Sequence, residues 1–236
     1  MIRKLSPNEF DLNYSAVLEK YNAALQKVGK TKDDVILLAA IKTVDIDSIN
    51  YAISKGITFV AENRVQELLA KHDSLLPVRE HFIGHLQTNK VKDVVDKVEL
   101  IQSVDSVKLA REISKQCAKH GKIMDVLLEV NIGGEDSKWG FTPENIASAV
   151  REVASLPNVC VRGLMTIPPI CDDKNDVRKY FSKMYNLFVD IKAQNIDNSF
   201  MDILSMGMSD DFDIAIEEGA NLVRVGTALF GKRDYL

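Results

Sequence analysis

The chain contains 236 residues, 46% of them hydrophobic, and carries a formal net charge of −4 at pH 7. This length and apolar content suit one α/β barrel with a sizeable core. Charges of both signs are interspersed, which argues against a nucleic-acid partner, and no apolar run approaches the roughly 20 residues that cross a bilayer.

Strand-like apolar runs alternate with helical patterns along the chain. An extra helix is predicted over residues 7–28, before the first strand, and the clearest later helices are predicted over residues 106–119 and 176–194. Most of the apolar runs are nearly continuous, which is typical of parallel strands covered on both faces. The eight predicted strands are residues 35–41, 58–60, 81–83, 100–103, 125–131, 160–165, 202–204 and 221–225.

Eight strands, with a helical segment before each of the last seven, indicate a (β/α)8 TIM barrel with an extra N-terminal helix. A doubly wound open sheet is the alternative fold. Proline and glycine are sparse and no linker-like or low-complexity stretch interrupts the pattern. Residues 1–236 are therefore predicted to form a single domain.

The cysteines and the first residues bear on location and metal binding. Cys117, Cys160 and Cys171 are odd in number and lack a CxxC spacing, so neither a disulfide framework nor a zinc site is predicted. His81 and His85, in an extended segment, would lie roughly 13 Å apart, too far to ligate one ion directly. The N-terminus lacks the apolar core of a signal peptide. We expect a cytoplasmic monomer that binds no metal and no membrane.

In a barrel of this type the chemistry lies at the C-terminal ends of the strands. Polar residues follow the predicted strands at that end, which predicts one functional mouth rather than scattered surface groups. The last two strands end in turns, 205–211 and 226–227, that carry glycine and serine or threonine. Such turns direct backbone N–H groups and hydroxyls at one place and suit a phosphate, whereas Arg224 between them requires a fixed partner. Two ordinary strand-to-helix turns with a salt-bridged arginine are the structural alternative.

Lys42 follows the apolar run VILLAAI at the end of the first predicted strand. An amine at the edge of an apolar wall is partly desolvated, and desolvation favours the neutral, nucleophilic form of a lysine. A lysine that merely extends from a strand end into solvent is the alternative. An aldehyde-reactive amine combined with a phosphate site points to pyridoxal 5′-phosphate (PLP) as the ligand.

The chain resembles the family of pyridoxal phosphate homeostasis proteins, also described as the proline synthetase co-transcribed homologs. The resemblance extends from about Val35 to Phe230. Matching segments occur in one order along the chain: LLAAIKT, AENRVQE, HFIGHLQTNK, QSVDS, VNIGGEDSKWGF, VRGLMTIPP, LSMGMSDDF and VRVGTALFG. The family is also similar to the barrel domain of alanine racemase but lacks that enzyme's second domain and the catalytic tyrosine carried there.

The resemblance implies a role for individual residues. Lys42 is implied to form a covalent aldimine with PLP, and Arg224 to face the pyridine nitrogen. The remaining residues of the implied cofactor site line the ring, form the pocket wall or surround the phosphate: Asn63, Met165, Ser205, Met206, Ser209, Gly226 and Thr227.

An arginine at the pyridine nitrogen discourages protonation of the ring and makes it a weaker electron sink. No second acid or base is evident opposite Lys42. We therefore expect a PLP-binding protein of intracellular vitamin B6 and amino-acid homeostasis, with no catalytic residues and with PLP-dependent apoenzymes as recipients. A single-domain PLP-dependent racemase is the main alternative, and a phosphosugar enzyme with Lys42 as its Schiff-base lysine is a third.

Overall fold

A computed structural model describes residues 4–135, 138–171 and 173–231. Eight strands pair in parallel in chain order and close into a barrel, which confirms the predicted (β/α)8 fold and excludes the open sheet. The strands are β1 (Ile36–Ala40), β2 (Phe59–Glu62), β3 (Arg79–Phe82), β4 (Leu100–Val104), β5 (Met124–Val130), β6 (Val159–Thr166), β7 (Ser199–Ser205) and β8 (Leu222–Val225).

Helices cover the outside of the barrel. The predicted helix before β4 is instead a short 3₁₀ helix, Thr88–Asp93, and a second 3₁₀ helix spans His72–Ser74. Val91 in the Thr88–Asp93 helix and Val94, its C-terminal capping residue, are both buried. The α-helices are α1 (Pro7–Lys27), α2 (Ile46–Ser54), α3 (Val65–Lys71), α4 (Val107–Lys119), α5 (Ile146–Ala154), α6 (Lys174–Lys192), α7 (Phe212–Glu217) and α8 (Thr227–Phe230). None of the described helices combines the length and apolar character needed to cross a membrane.

Apolar side chains are divided between the barrel interior and the layer outside it. Residues of the strands and of the turns directly after them form two interior clusters, one around Leu38 and Leu222 and one around Leu100, Leu127 and Met165. A much larger core fills the space between the strands and the surrounding helices. Side chains alternate along each strand, so every strand supplies both layers.

The N-terminal helix α1 begins with a capping box, in which the Ser6 hydroxyl and the Glu9 carboxylate each accept a backbone N–H of the other residue. Its inward face packs on the last helix of the barrel. Phe10 contacts the Phe230 ring, with ring centroids 5.8 Å apart, and Asn13 donates a hydrogen bond to the Leu229 carbonyl at 3.0 Å. The extra helix therefore closes over the segment that follows β8.

Replacing Phe10 by alanine is expected to lower the free energy of unfolding by about 3–5 kcal/mol. Phe10 is 1% exposed and packs against three aromatic rings, so its removal leaves a cavity that neighbours refill poorly. Urea denaturation measures the change. Leu12→Ala is the matched control, since Leu12 lies on the same helix at 73% exposure; equal losses in both variants would contradict the packing of α1.

Candidate functional site

The register of the strands brings Lys42 and Asn63 to the same place. Ala40 of β1 lies opposite Ala61 of β2, and both alanines pack in the barrel interior. Lys42 and Asn63 each follow two residues later, at the mouth of the barrel. β8 pairs in parallel with the other side of β1, which places the turn at Gly226 beside Lys42.

A cavity of about 220 Å³ opens at this mouth. It is small for a ligand pocket, which suits a ligand of one ring and a few substituents. Its lining includes six of the nine residues predicted from the sequence: Lys42, Asn63, Ser209, Arg224, Gly226 and Thr227.

The other three predicted residues lie outside the lining. Ser205 is buried behind the cavity, and its hydroxyl contacts Arg224. Met165 packs deeper in the barrel interior, and Met206 lies in the core between strands and helices. Met206 directly follows the last residue of β7, so alternation turns it away from the interior face that Ser205 occupies.

Sequence analysis missed five residues of the lining. Two aliphatic side chains, Ile83 and Ile167, lie just after β3 and β6, two residues beyond interior-facing positions. Period-two alternation counted from the interior residues would have found both. Met208 takes the place predicted for Met206, and Ala40 and Asp210 complete the set.

Arg224 is the charged centre of the site. Its guanidinium donates from Nη1 to the Ser205 hydroxyl at 2.6 Å and from Nη2 to the Thr166 carbonyl at 2.8 Å. Burial lowers the pKa of Arg224 to about 10, so it stays a cation at neutral pH. No ion pair to Arg224 forms among the described residues, so its predicted fixed partners are neutral oxygens rather than a carboxylate.

The hydrogen bonds continue across the barrel interior from Arg224. The Ser205 hydroxyl donates to Gln102 Oε1 at 2.6 Å, and Gln102 Nε2 lies 2.9 Å from His81 Nδ1. Burial, reinforced by the charge of Arg79, lowers the pKa of His81 to about 3. A neutral His81 accepts from the Gln102 amide, so every donor in this chain points away from the guanidinium.

A turn of converging donors lies next to Arg224. The backbone N–H groups of Gly226 and Ala228 both donate to the Ser209 hydroxyl, each at 3.1 Å. The preceding turn bends sharply at Gly207, whose φ is +91° and where a Cβ would lie 2.4 Å from the Ala215 side chain. Glycine is required at that position both for conformation and for space.

Glu129, a carboxyl that sequence analysis overlooked, lies near Arg224. It is two residues beyond Leu127, which packs in the barrel interior. Burial is the main cause that raises the pKa of Glu129 to about 7, with Asp105 adding to the effect and Arg224 opposing it. No hydrogen bond or ion pair to its carboxylate is found in the described part of the chain.

Two further residues near the mouth, His85 and Lys138, have structural contacts. His85 Nδ1 lies 2.9 Å from Asp105, and the His85 ring stacks on Trp139 with centroids 4.0 Å apart. Lys138 pairs with Glu135 at 2.7 Å. Within residues 4–135, 138–171 and 173–231, no group of three or more His, Cys, Asp or Glu side chains is arranged to hold a metal ion.

Comparison with known proteins gives consistent results. The family model described as alanine racemase, N-terminal domain, matches residues 12–234. A curated relative, the pyridoxal phosphate homeostasis protein of Aquifex aeolicus (strain VF5), is 47% identical over 223 residues, covering 94% of this chain and 97% of the relative. The chain belongs to the pyridoxal phosphate homeostasis protein family.

Solved structures agree with this family and its alanine racemase-like barrel. A protein of unknown function from Bifidobacterium adolescentis superposes with a TM-score of 0.91 at 35% identity, covering 97% of this chain and 99% of that one. PipY of Synechococcus elongatus PCC7942, in the structure with PLP bound, superposes with a TM-score of 0.78 at 29% identity, covering 89% and 99%.

The Glu129→Gln variant is expected to be more stable than the wild type, by a margin that grows as pH rises from about 4.5 to 7. The folded pKa lies above its unfolded value, so the native state holds an extra proton in this window and the wild type loses stability as pH rises through it. The variant has no such titration, and its advantage should reach up to about 3 kcal/mol above pH 7.

Urea unfolding of both proteins at several pH values between 4.5 and 8.5 measures this difference. Glu152→Gln is the matched control, because Glu152 is half exposed and pairs with Arg111 on the surface. The control should show little pH dependence relative to wild type. A Glu129→Gln difference that does not grow with pH would contradict the raised pKa.

Proposed function

We propose that this protein binds PLP covalently at Lys42 and takes part in vitamin B6 and amino-acid homeostasis without robust catalysis of its own. The observation that carries the proposal is the single cavity wall shared by an amine, a buried guanidinium and a turn of converging N–H donors. PLP-dependent apoenzymes as recipients, and a monomeric state, are parts of the same proposal.

The residues of the cavity fit the chemistry of PLP. When bound, PLP would supply an aldehyde that reacts with primary amines, and Lys42 would hold it through Nζ, with a C=N bond replacing C=O and one water released. Ser209, Thr227 and the N–H groups of Gly226 and Ala228 offer hydrogen bonds to a phosphate. Reorientation of the Ser209 hydroxyl would free both backbone donors for this anion.

Arg224 supports holding of the cofactor over turnover. A guanidinium that remains a cation cannot accept a proton from a pyridine nitrogen, and a ring that stays unprotonated stabilises a carbanion poorly. The hydrogen-bond partners Ser205 and Thr166 are neutral, and no carboxylate forms an ion pair with Arg224 among the described residues, which suits an anionic ligand. The relatives named as homeostasis proteins and PipY with PLP bound support the same reading.

Borohydride reduction of the purified protein with one equivalent of PLP is expected to fix a phosphopyridoxyl mass on the peptide that contains Lys42. Lys42→Ala should lose the adduct, because no other amine shares the cavity lining among the described residues. Lys92→Ala, at an exposed lysine, is the control and should keep it. An adduct on Lys138, or none in the wild type, would contradict the proposal.

Amino-acid racemisation is a second candidate, and Glu129 is the observation that favours it. β5 lies opposite β1 in the closed barrel, and the Glu129 carboxyl, whose pKa is raised to about 7, has no hydrogen-bond or ion-pair partner in the described part of the chain. Glu129 is not part of the cavity lining, however.

Exchange of the α-hydrogen of alanine in D2O separates the two functions. With PLP loaded, we expect no exchange above that of Lys42→Ala. Rapid exchange that is lost in both Lys42→Ala and Glu129→Gln would favour the racemase instead. Proton NMR of the amino acid measures the exchange directly and needs no coupled enzyme.

A further inference from the structure

A buried ion cluster lies directly beneath the Lys42 turn. Lys71, the last residue of α3, is 6% exposed, although lysines are rarely buried. Its ammonium donates to the Glu62 carboxylate at 2.5 Å, to the Glu67 carboxylate at 3.1 Å and to the Ile41 carbonyl at 2.8 Å. The cluster therefore reaches the main chain immediately before Lys42.

The same cluster reaches the main chain immediately after Lys42. The Thr43 N–H donates to Glu67 Oε2 at 2.6 Å, the oxygen that also accepts from Lys71. Thr43 has a φ of +63°, in the left-handed region that β-branched residues rarely adopt. A residue keeps such a conformation only when its surroundings hold it there, and the charged acceptor Glu67 supplies that hold.

Glu62 links the cluster to a second residue of the cavity. Its Oε1 accepts from Lys71, and its Oε2 accepts from the Asn63 N–H at 3.1 Å. One ammonium and two carboxylates thus contact the backbone on both sides of Lys42 and at Asn63.

Stability alone does not account for this arrangement. Replacing a buried ion pair by apolar residues of similar volume is often neutral or stabilising, so burial of the Lys71–Glu62 pair is a poor way to strengthen a fold. Among the described residues, each side-chain hydrogen bond that Lys71, Glu67 or Glu62 makes outside the cluster goes to Ile41, Thr43 or Asn63. Glu67 also forms a longer ion pair, of 3.5 Å, with the exposed Arg64. The shared feature of these three contacts is their position beside a cavity residue.

We propose that Lys71, Glu67 and Glu62 form a clamp that positions the Lys42 amine for covalent attachment of an aldehyde ligand. This proposal rests on the proposed function, in which Lys42 bears PLP. The clamp residues act through the backbone and touch no ligand. They fix the direction of Lys42 by holding Thr43 in its left-handed conformation. Among the described residues, none of the three side chains forms a hydrogen bond or ion pair with the anion-binding turn after β8.

Glu67→Gln tests the clamp with two probes. Covalent attachment of PLP at Lys42 is followed by borohydride trapping and peptide mass, and non-covalent binding is followed with pyridoxine 5′-phosphate, which has no aldehyde. The variant is expected to lower the equilibrium constant for covalent attachment about tenfold, because a charge-assisted hydrogen bond is lost. Affinity for pyridoxine 5′-phosphate should stay within about twofold, because the phosphate contacts are untouched.

Two further variants keep the test decisive. Glycine adopts positive φ freely, so in a Thr43→Gly background the loss caused by Glu67→Gln should shrink to less than about threefold. Lys71→Arg keeps the charge but changes the donor geometry, and it is used if Glu67→Gln does not fold. It should lower covalent attachment of PLP but not the affinity for pyridoxine 5′-phosphate. Glu152→Gln, at a surface ion pair, is the matched control and should change neither probe.

The outcomes separate the clamp from the proposed function. If the wild type forms no adduct at Lys42, the proposed function fails. If the wild type forms it and Glu67→Gln and Lys71→Arg do so equally well, the clamp is overturned while the function stands. Equal losses for PLP and pyridoxine 5′-phosphate would also overturn the clamp, since they indicate general damage to the cavity.

Discussion

The site depends on a permanent cation inside the barrel, the Arg224 guanidinium. Its hydrogen bonds among the described residues go to neutral oxygens. Burial of the Arg224 guanidinium without hydrogen bonds would be very costly, so its donors must be satisfied. The Ser205 hydroxyl and the Thr166 carbonyl accept two of them, and Gln102 and His81 are oriented in turn by Ser205. Because none of these acceptors is charged, the positive charge remains available at the cavity.

Two buried cations thus lie near the mouth of the barrel, Lys71 and Arg224. They differ in whether carboxylates pair with them. Around Lys71 two carboxylates pair with one ammonium, Glu67 also pairs with the exposed Arg64, and the cluster contacts the backbone beneath the cavity. No carboxylate forms an ion pair with Arg224 among the described residues, and the guanidinium itself lines the cavity. An anion at the cavity is attracted to Arg224, whereas Lys71, Glu67 and Glu62 lie outside the cavity lining and contact the backbone beside Lys42 and at Asn63.

Much of this architecture could be predicted from local patterns. Continuous apolar runs and amphipathic helices predicted eight strands, and the rule that barrel chemistry lies at strand C-termini placed Lys42, Asn63 and Arg224 at one mouth. The need of Arg224 for a fixed partner was also predicted. Its identity was not, because Thr166 and Ser205 come from strands 58 and 19 residues away in the chain. Residues this far apart in the chain come into contact only when the barrel closes.

By itself the sequence determined the elements, their order and the end of the barrel where polar groups gather, since each depends on residues close together in the chain. Only the tertiary structure decided which side chains reach the cavity. Met208 lines it while Met206 does not, because one step of strand alternation reverses the direction of a side chain. Lys71 meets Ile41, 30 residues away, only because α3 packs beneath the first strand end. The partial burial of Glu129, which raises its pKa to near neutrality, likewise exists only in the closed barrel.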